Sequence, residues 1–325
     1  MTKVERIILH HTPIGFFLKK TKHLFLPGFE GVPFYEVIKF FYKQLKVNSI
    51  TERASAVSYN FIMSIPPSLL FLFTLLPNLP LIKRLDLKTQ LTVLIKDMIP
   101  AKGYNDAIIT FINKTFFQSP RIELISTGLL LALFFASNGI IGLMRSFNKD
   151  YIGFEKRNAF HNRWVAIRLT VMIFSLVLAC LILLISQRSF LKWIGITNVS
   201  IREIIYYFRW VFIVSMVFYS IAFIYRYAPS VTKRWNLVSP GSILASTLCL
   251  LTTYGFTTFV NNFGKYNALY GSIGAIIVLM ALIYLNSLVL LIGFELNVSI
   301  KSLKAIADQR LENEKLIMAK HKSHL

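Results

Sequence analysis

The stretch GSIGAIIVLMALIYLNSLVLLIGF, residues Gly271–Phe294, contains no charged side chain. It is longer than the roughly 20 apolar residues that cross the hydrocarbon core of a bilayer as a helix. Five further runs have the same character: Ala54–Leu76, Glu123–Met144, Val165–Ser186, Tyr206–Tyr225 and Pro240–Val260. Barrel strands would instead alternate over about ten residues. The sequence therefore predicts an all-α membrane protein, a bundle of six transmembrane helices.

Composition agrees with this class. Of the 325 residues, 55% are hydrophobic and 16% are charged, whereas soluble domains are about 45–50% apolar. No cleaved export signal is predicted, because His10-His11 and Lys19-Lys20 interrupt the apolar pieces of the N-terminus. Both cysteines, Cys180 and Cys249, fall within predicted spans, so we expect no disulfide framework.

The net charge of +21 is unevenly distributed. Segments 1–53, 145–164, 226–237 and 295–325 together hold roughly twice as many Lys and Arg residues as the intervening loops, which places both termini in the cytoplasm. This bias and attraction to anionic phospholipid explain the charge better than nucleic-acid binding does, since no RNA-binding motif is present. The expected partners are membrane lipids.

Three parts are predicted along the chain. Residues 1–50 form a cytoplasmic segment, residues 51–300 the six-helix domain with an external cap at 77–122, and residues 301–325 a cytoplasmic tail. The cap contains two short amphipathic patterns, and both a lid over a cavity and simple packing on the bundle are open for it. The first segment carries an amphipathic pattern at Phe34, Val37, Ile38, Phe41 and Leu45. Such a helix either lies in the membrane interface or caps the cytoplasmic face of the bundle.

The first span contains Pro66 and Pro67. Neither can donate a backbone hydrogen bond, so a kink is expected there. A broken helix at membrane depth must face protein or water. Asn60 and this proline pair are therefore candidates for lining a pathway.

The fifth and sixth spans are expected to form a tight hairpin. Ser239-Pro240 is a helix-start signal, and Gly241, Ala245, Cys249 and Thr253 form a stripe of small residues. Gly271 and Ala275 show the same four-residue spacing of small residues in the sixth span. The turn between the spans carries polar side chains that can satisfy backbone groups near lipid, among them Asn261, Tyr266, Asn267 and Tyr270.

Several segments resemble the YihY/virulence factor BrkB family of bacterial inner-membrane proteins. They are RASAVSYNFIMSIPPSLL, NGIIGLMRSFNKDY, YRYAPS, SPGSILAS and FVNNFGKYNALYGSIGAIIVLMALIYLNSLVLLIGFELN, within roughly Ile50 to Ile300. The resemblance implies a six-span helical fold and a role in envelope biology, such as moving a lipid or other amphiphile. Some members of the family once carried the label ribonuclease BN, which is now generally regarded as mistaken.

Polar residues within the spans are the remaining candidates. Asn286 is expected to bond another helix or to contact a substrate. Glu295 could form an ion pair with Arg145 or Arg226, or couple to protons. Asn138 lies near the end of the second span, at a predicted pathway or packing position.

No catalytic motif, cofactor or metal site is predicted. The leading hypothesis is a transporter or flippase-like protein for a lipid or amphiphilic solute, and not an enzyme. A non-catalytic scaffold of an envelope complex is the alternative, and a ribonuclease is the least favoured. A homo-oligomer is left open, because small-residue stripes serve packing within and between chains alike.

Overall fold

The computed structural model describes residues 24–47, 49–75, 92, 109–110, 125–148, 154–155, 157–193, 199–231, 234–263 and 272–323. Regular structure in these ranges is helical, apart from an isolated bridge between Phe154 and Val231. The all-α prediction is confirmed. The predicted external cap falls almost wholly outside the described residues.

Eight helices are described: α1 (Phe34–Val47), α2 (Ile50–Leu75), α3 (Ile125–Ala136), α4 (Asn138–Phe147), α5 (Ala159–Trp193), α6 (Val199–Tyr227), α7 (Pro240–Phe263) and α8 (Ser272–Ser323). The described residues contain six segments long and apolar enough to cross a membrane: Ile50–Leu72, Gly128–Phe147, Ala159–Leu184, Trp210–Tyr227, Pro240–Val260 and Ile276–Lys315. Each overlaps one predicted span. The prediction of six spans is confirmed.

Local sequence explains where these helices start. The Ser239 hydroxyl accepts a hydrogen bond from the Ser242 backbone N–H at 3.2 Å, which satisfies a donor at the start of α7. Pro240 occupies the first helical position, where its missing N–H costs nothing. In α1, Glu36 lies in the first turn and Lys46 in the last, each on the side that the helix dipole favours.

The spanning helices form a ring in chain order. Helix α2 packs on α3 and α4, these pack on α5, and the series continues through α6 and α7 to α8, which packs back on α2. The main hydrophobic core lies where α2, α5 and α7 begin and α4 and α6 end. We call this the closed end of the bundle. A smaller core joins Val37 of α1 to Leu296 and Ile300 of α8.

Helix α2 runs through Pro66 and Pro67, so the chain is not unwound at the prolines. The predicted kink, a change in the direction of the helix axis, stays a prediction. Serine side chains donate to carbonyls near the prolines. The Ser64 hydroxyl donates to the Phe61 carbonyl at 2.8 Å, and the Ser68 hydroxyl donates to the Ser64 carbonyl at 2.6 Å.

Candidate functional site

A buried ion pair joins three helices at the closed end. Arg53 of α2 contacts the carboxylate of Glu295 in α8 through Nη1, and its Nη2 donates to the Ser146 carbonyl of α4 at 2.5 Å. The side chains of Arg53 and Glu295 are only 8% and 0% exposed. Because an unpaired charge at this depth is costly, the pair requires α2, α4 and α8 to keep their register.

The ion-pair partner differs from the sequence expectation. Arg145 and Arg226 were the predicted partners of Glu295, but the pair that the structure shows uses Arg53. Arg145 is exposed. Arg226 is half-buried, with its guanidinium carbon 5.7 Å from the ring centroid of Tyr227.

Aromatic side chains fill the space beside the ion pair. The rings of Phe147 and Phe294 stack with centroids 3.9 Å apart, and Tyr225 and Trp235 meet Phe294 edge-on at 6.2 and 5.5 Å. The Tyr225 hydroxyl donates to the Leu290 carbonyl at 2.5 Å. This cluster seals the centre of the closed end.

Small residues bring α7 and α8 together at the same level. A Cβ added to Gly293 would lie 2.6 Å from the Cβ of Ala245 and 2.7 Å from the Gly241 carbonyl oxygen. Asn297 fixes the crossing: its Oδ1 accepts from the Gly241 N–H at 2.8 Å, and its Nδ2 donates to the Ser239 hydroxyl at 2.9 Å. The close approach predicted from Gly241 and Ala245 is confirmed, with Gly293 as the partner in α8.

Two loops are tied together below the aromatic cluster. Asn148 Oδ1 accepts from the backbone N–H and the hydroxyl of Ser230 at 3.0 and 2.9 Å. The Glu155 N–H donates to the Ser230 carbonyl at 2.7 Å, and Arg157 donates to the Pro229 carbonyl at 2.9 Å. Burial lowers the pKa of Arg157, as does the nearby charge of Arg234, while Glu155 raises it. These bonds therefore join the described residues between α4 and α5 to those that directly follow α6.

Asn60 occupies a packing position between α2 and α4. Its Nδ2 donates to the Ala56 carbonyl of its own helix at 2.7 Å. Its side chain occupies the space where a Cβ on Gly142 would lie, and Ser64 lies 2.7 Å from the corresponding point on Gly139. These two glycines of α4 let α2 approach closely.

Asn138 and Asn286 each bond another helix. Asn138 Oδ1 accepts from Nη1 of Arg163 in α5 at 2.8 Å, at the junction between α3 and α4. Asn286 Nδ2 donates to the Leu282 carbonyl at 3.0 Å and to the Thr253 hydroxyl of α7 at 3.3 Å. Of the predicted residues in the turn after α7, only the backbone of Asn261 is described, whereas Tyr266, Asn267 and Tyr270 lie outside the described residues.

Burial changes sharply along α6, α7 and α8. At the closed end, Tyr225, Ala245 and Leu291 are almost inaccessible. In residues 210–220, 250–260 and 276–286, all of whose side chains are described, none is buried. We call these three segments the open half. They expose apolar side chains such as Leu251 and Leu279, and Thr253 is also exposed, so these segments carry both apolar and polar groups.

No three His, Cys, Asp or Glu side chains of the described ranges converge as metal ligands. The described residues place buried charge and aromatic packing at the closed end, with hydroxyl, amide and apolar groups in the open half.

The sequence model described as Virulence factor BrkB matches residues 41–316. The putative ribonuclease-like protein YfkH of Bacillus subtilis (strain 168) is 26% identical over 84% of this chain and 98% of its own length. A UPF0761 membrane protein of Photobacterium profundum is 22% identical over 79% of this chain and 78% of its own. Another UPF0761 membrane protein, from Tolumonas auensis, is 33% identical over 23% of this chain and 25% of its own. No solved structure matches the chain significantly.

Proposed function

The chain belongs to the virulence factor BrkB family of multi-pass membrane proteins, and on that premise we propose that it moves a lipid or another amphiphilic solute across the membrane. The supporting observation is the contrast between the closed end and the open half. The segments of α6, α7 and α8 beyond the closed end contain no buried side chain, and in this proposal they line a binding space that opens to one side of the membrane.

The chemistry of the open half fits an amphiphile. Its surface combines apolar side chains, such as Leu279, which is 45% exposed and lies two turns before Asn286 on the same side of α8, with the Thr253 hydroxyl and the Asn286 carboxamide. An acyl chain can pack on the former, while a polar head group can exchange hydrogen bonds with the latter. Asn60, Pro66 and Pro67 of α2 are further candidates for the wall of this space, although Asn60 also packs against Gly142.

The proposal includes an orientation in the bacterial inner membrane. The basic segments at both termini favour a cytoplasmic location under the positive-inside rule. The closed end then faces the cytoplasm, and the open half faces the periplasmic leaflet. A cysteine at exposed Arg145 would react with an impermeant maleimide only from the cytoplasmic side, and reaction from the outside would reverse this orientation.

Lipid translocation by the purified protein is the direct test. The protein is reconstituted in vesicles that carry head-group-labelled phospholipid, and loss of fluorescence on adding an impermeant reductant measures movement between leaflets. We expect faster loss than in protein-free vesicles and a changed rate for Asn286→Ala. Ser55→Ala is the matched control, because its exposed hydroxyl bonds the Thr51 carbonyl of its own helix and lies at the closed end, away from the open half. Absence of movement for every envelope lipid tried, with a monodisperse protein, would refute the proposal.

The tail of α8 favours a second candidate, a non-catalytic scaffold. Helix α8 has 52 residues and runs to Ser323, with Leu311 and Met318 56% and 68% exposed. Cross-linking in cells through a photoreactive residue at position 311 would recover a defined envelope protein if the scaffold is correct. Recovery of random neighbours only would leave this candidate without support.

Both candidates are non-enzymatic. The name of the Bacillus subtilis relative contains the term ribonuclease-like, so RNA cleavage is the enzymatic alternative. Ribonuclease activity that follows the protein through successive purification steps would overturn the non-enzymatic assignment, and activity lost on purification would support it.

A further inference from the structure

Helix α1 is held at the membrane surface by its neighbours. It ends at Val47, and α2, the first spanning helix, begins at Ile50. A link this short reaches about 10 Å even when fully extended. The inner face of α1, formed by Val37 with Phe34 and Phe41, packs against α8. Helix α1 therefore lies beside the closed end, at the depth where the first span enters the bilayer.

One flank of α1 is apolar and uncovered. Ile38 and Tyr42, one turn apart and on the same side of the helix, are 40% and 59% exposed. Tyr42 is rotated by about 80–140° from the three residues of the inner face, and Ile38 lies between that face and Tyr42, so the exposed flank begins at the edge of the face packed on α8. The preceding segment adds Phe25, which is 60% exposed. This uncovered flank is available to the acyl boundary of the bilayer.

Lysines border this flank. Lys39, Lys43 and Lys46 are exposed, and none forms an ion pair within the described part of the chain. The Lys46 ammonium lies 4.6 Å from the centroid of the Tyr42 ring. Glu36, in the first turn, is the single carboxylate of α1. The helix thus presents a net positive edge directly beside its apolar flank.

Among the described residues, the neighbouring lysines of α8, unlike those of α1, lie close to a carboxylate of the protein. The ammonium groups of Lys301 and Lys304 lie 3.9 and 3.8 Å from the Glu30 carboxylate. Their charge is partly neutralised within the protein, whereas the charge of the α1 lysines is left for an external anion.

We propose that α1 is a binding surface for anionic phospholipid head groups of the surrounding bilayer. Ile38 and Tyr42 contact the acyl boundary, and the three lysines contact head-group phosphates, as in amphipathic helices that lie in the interface. The proposal depends on the position of α1 and is independent of the transport activity proposed above.

Local lipid composition at α1 tests the proposal. The full-length protein, with Cys180 and Cys249 replaced by alanine, receives a fluorescent label at Ile38→Cys. It is reconstituted in phosphatidylcholine vesicles that contain equal fractions of brominated phosphatidylglycerol or brominated phosphatidylcholine. We expect the phosphatidylglycerol to quench several-fold more strongly, because one lysine near an anionic surface contributes about a fivefold preference. In about 1 M salt, where the Debye length is about 3 Å, the preference should largely vanish.

Two triple variants distinguish lipid binding at the α1 lysines from a general effect of the protein's net charge. K39Q/K43Q/K46Q should reduce the quenching ratio towards one, whereas K304Q/R310Q/K315Q on α8 removes the same charge and should leave the ratio unchanged. A label at Leu131→Cys on α3, a position 58% exposed in the native protein, provides the reference for ordinary bilayer contact. Equal quenching by both lipids at Ile38→Cys, a ratio that survives K39Q/K43Q/K46Q, or no quenching by either lipid would each overturn the proposal.

Discussion

Replacing Glu295 by glutamine should destabilise the closed end more than any other conservative carboxylate change in the described residues. Glu295→Gln leaves the Arg53 guanidinium, 8% exposed, without its counter-charge. The bond to the Ser146 carbonyl remains, and Nε of Arg53 has no hydrogen-bond partner among the described residues. Arg53 therefore has little else to compensate its charge.

Two calculations give a similar magnitude for the free energy lost when Glu295 loses its charge. Unit charges about 4 Å apart interact by about 4 kcal/mol at an effective dielectric constant of about 20. Breaking a buried pair by removing one partner typically costs about 3–5 kcal/mol. Since the glutamine amide keeps one acceptor oxygen, we expect a loss of about 3 kcal/mol in the free energy of unfolding.

Unfolding in mixed detergent–SDS micelles, followed by circular dichroism, measures this loss. The matched control is Glu312→Gln on the exposed part of α8, where we expect a change within about 0.5 kcal/mol. The double variant R53M/E295L removes both charges and should recover most of the stability, because apolar replacements of buried pairs are often neutral or stabilising. A Glu295→Gln loss below about 1 kcal/mol, or a double variant less stable than Glu295→Gln, would refute the reasoning.

Three further predictions concern contacts elsewhere in the bundle. Gly142→Val places a side chain where Asn60 lies and should cost at least about 1–3 kcal/mol of unfolding free energy, whereas Gly128→Ala, with open space around it, should be neutral or stabilising. Tyr225→Phe removes the hydroxyl that bonds the Leu290 carbonyl and should cost about 1 kcal/mol in the same assay. The cycle of Thr253→Val and Asn286→Ala should give a coupling of about 0.6 kcal/mol, typical of hydrogen bonds between spanning helices, and a coupling of zero would contradict the bond between α7 and α8.

The spans could be predicted from the sequence because each is a continuous apolar run. The length of such a run is set by the thickness of the bilayer and not by the neighbouring helices. The close approach of α8 to Gly241 and Ala245 of α7 could also be predicted, since small residues four positions apart mark one face of a helix. The Arg53–Glu295 pair was not, because its members lie 242 positions apart and pairing depends on which helices meet. Arg53 directly precedes the predicted first span, so it resembled a loop charge.

The prolines mark the limit of a local rule. Two adjacent prolines remove two backbone donors, and from sequence alone this predicts a kinked helix. Helix α2 nevertheless runs on through both prolines, and a bend of its axis at this point stays a prediction. The close contacts of α2 with Gly139 and Gly142 of α4 are made by residues that precede the prolines, so they do not explain this continuity.

The two halves of the bundle have different mechanical properties. At the closed end, aromatic stacking on Phe294 supplies apolar burial. The Arg53–Glu295 pair adds little stability over apolar packing, but any relative shift of α2 and α8 that separates its charges is costly. The pair therefore mainly fixes the positions of these two helices relative to each other. In the open half, the bond between Thr253 and Asn286 spans 3.3 Å between exposed or half-exposed groups. Regions with few buried contacts open at low free-energy cost. On the proposed transport function, any separation of α7 from α8 would occur around Thr253, with the Gly241–Gly293 crossing as its fixed point.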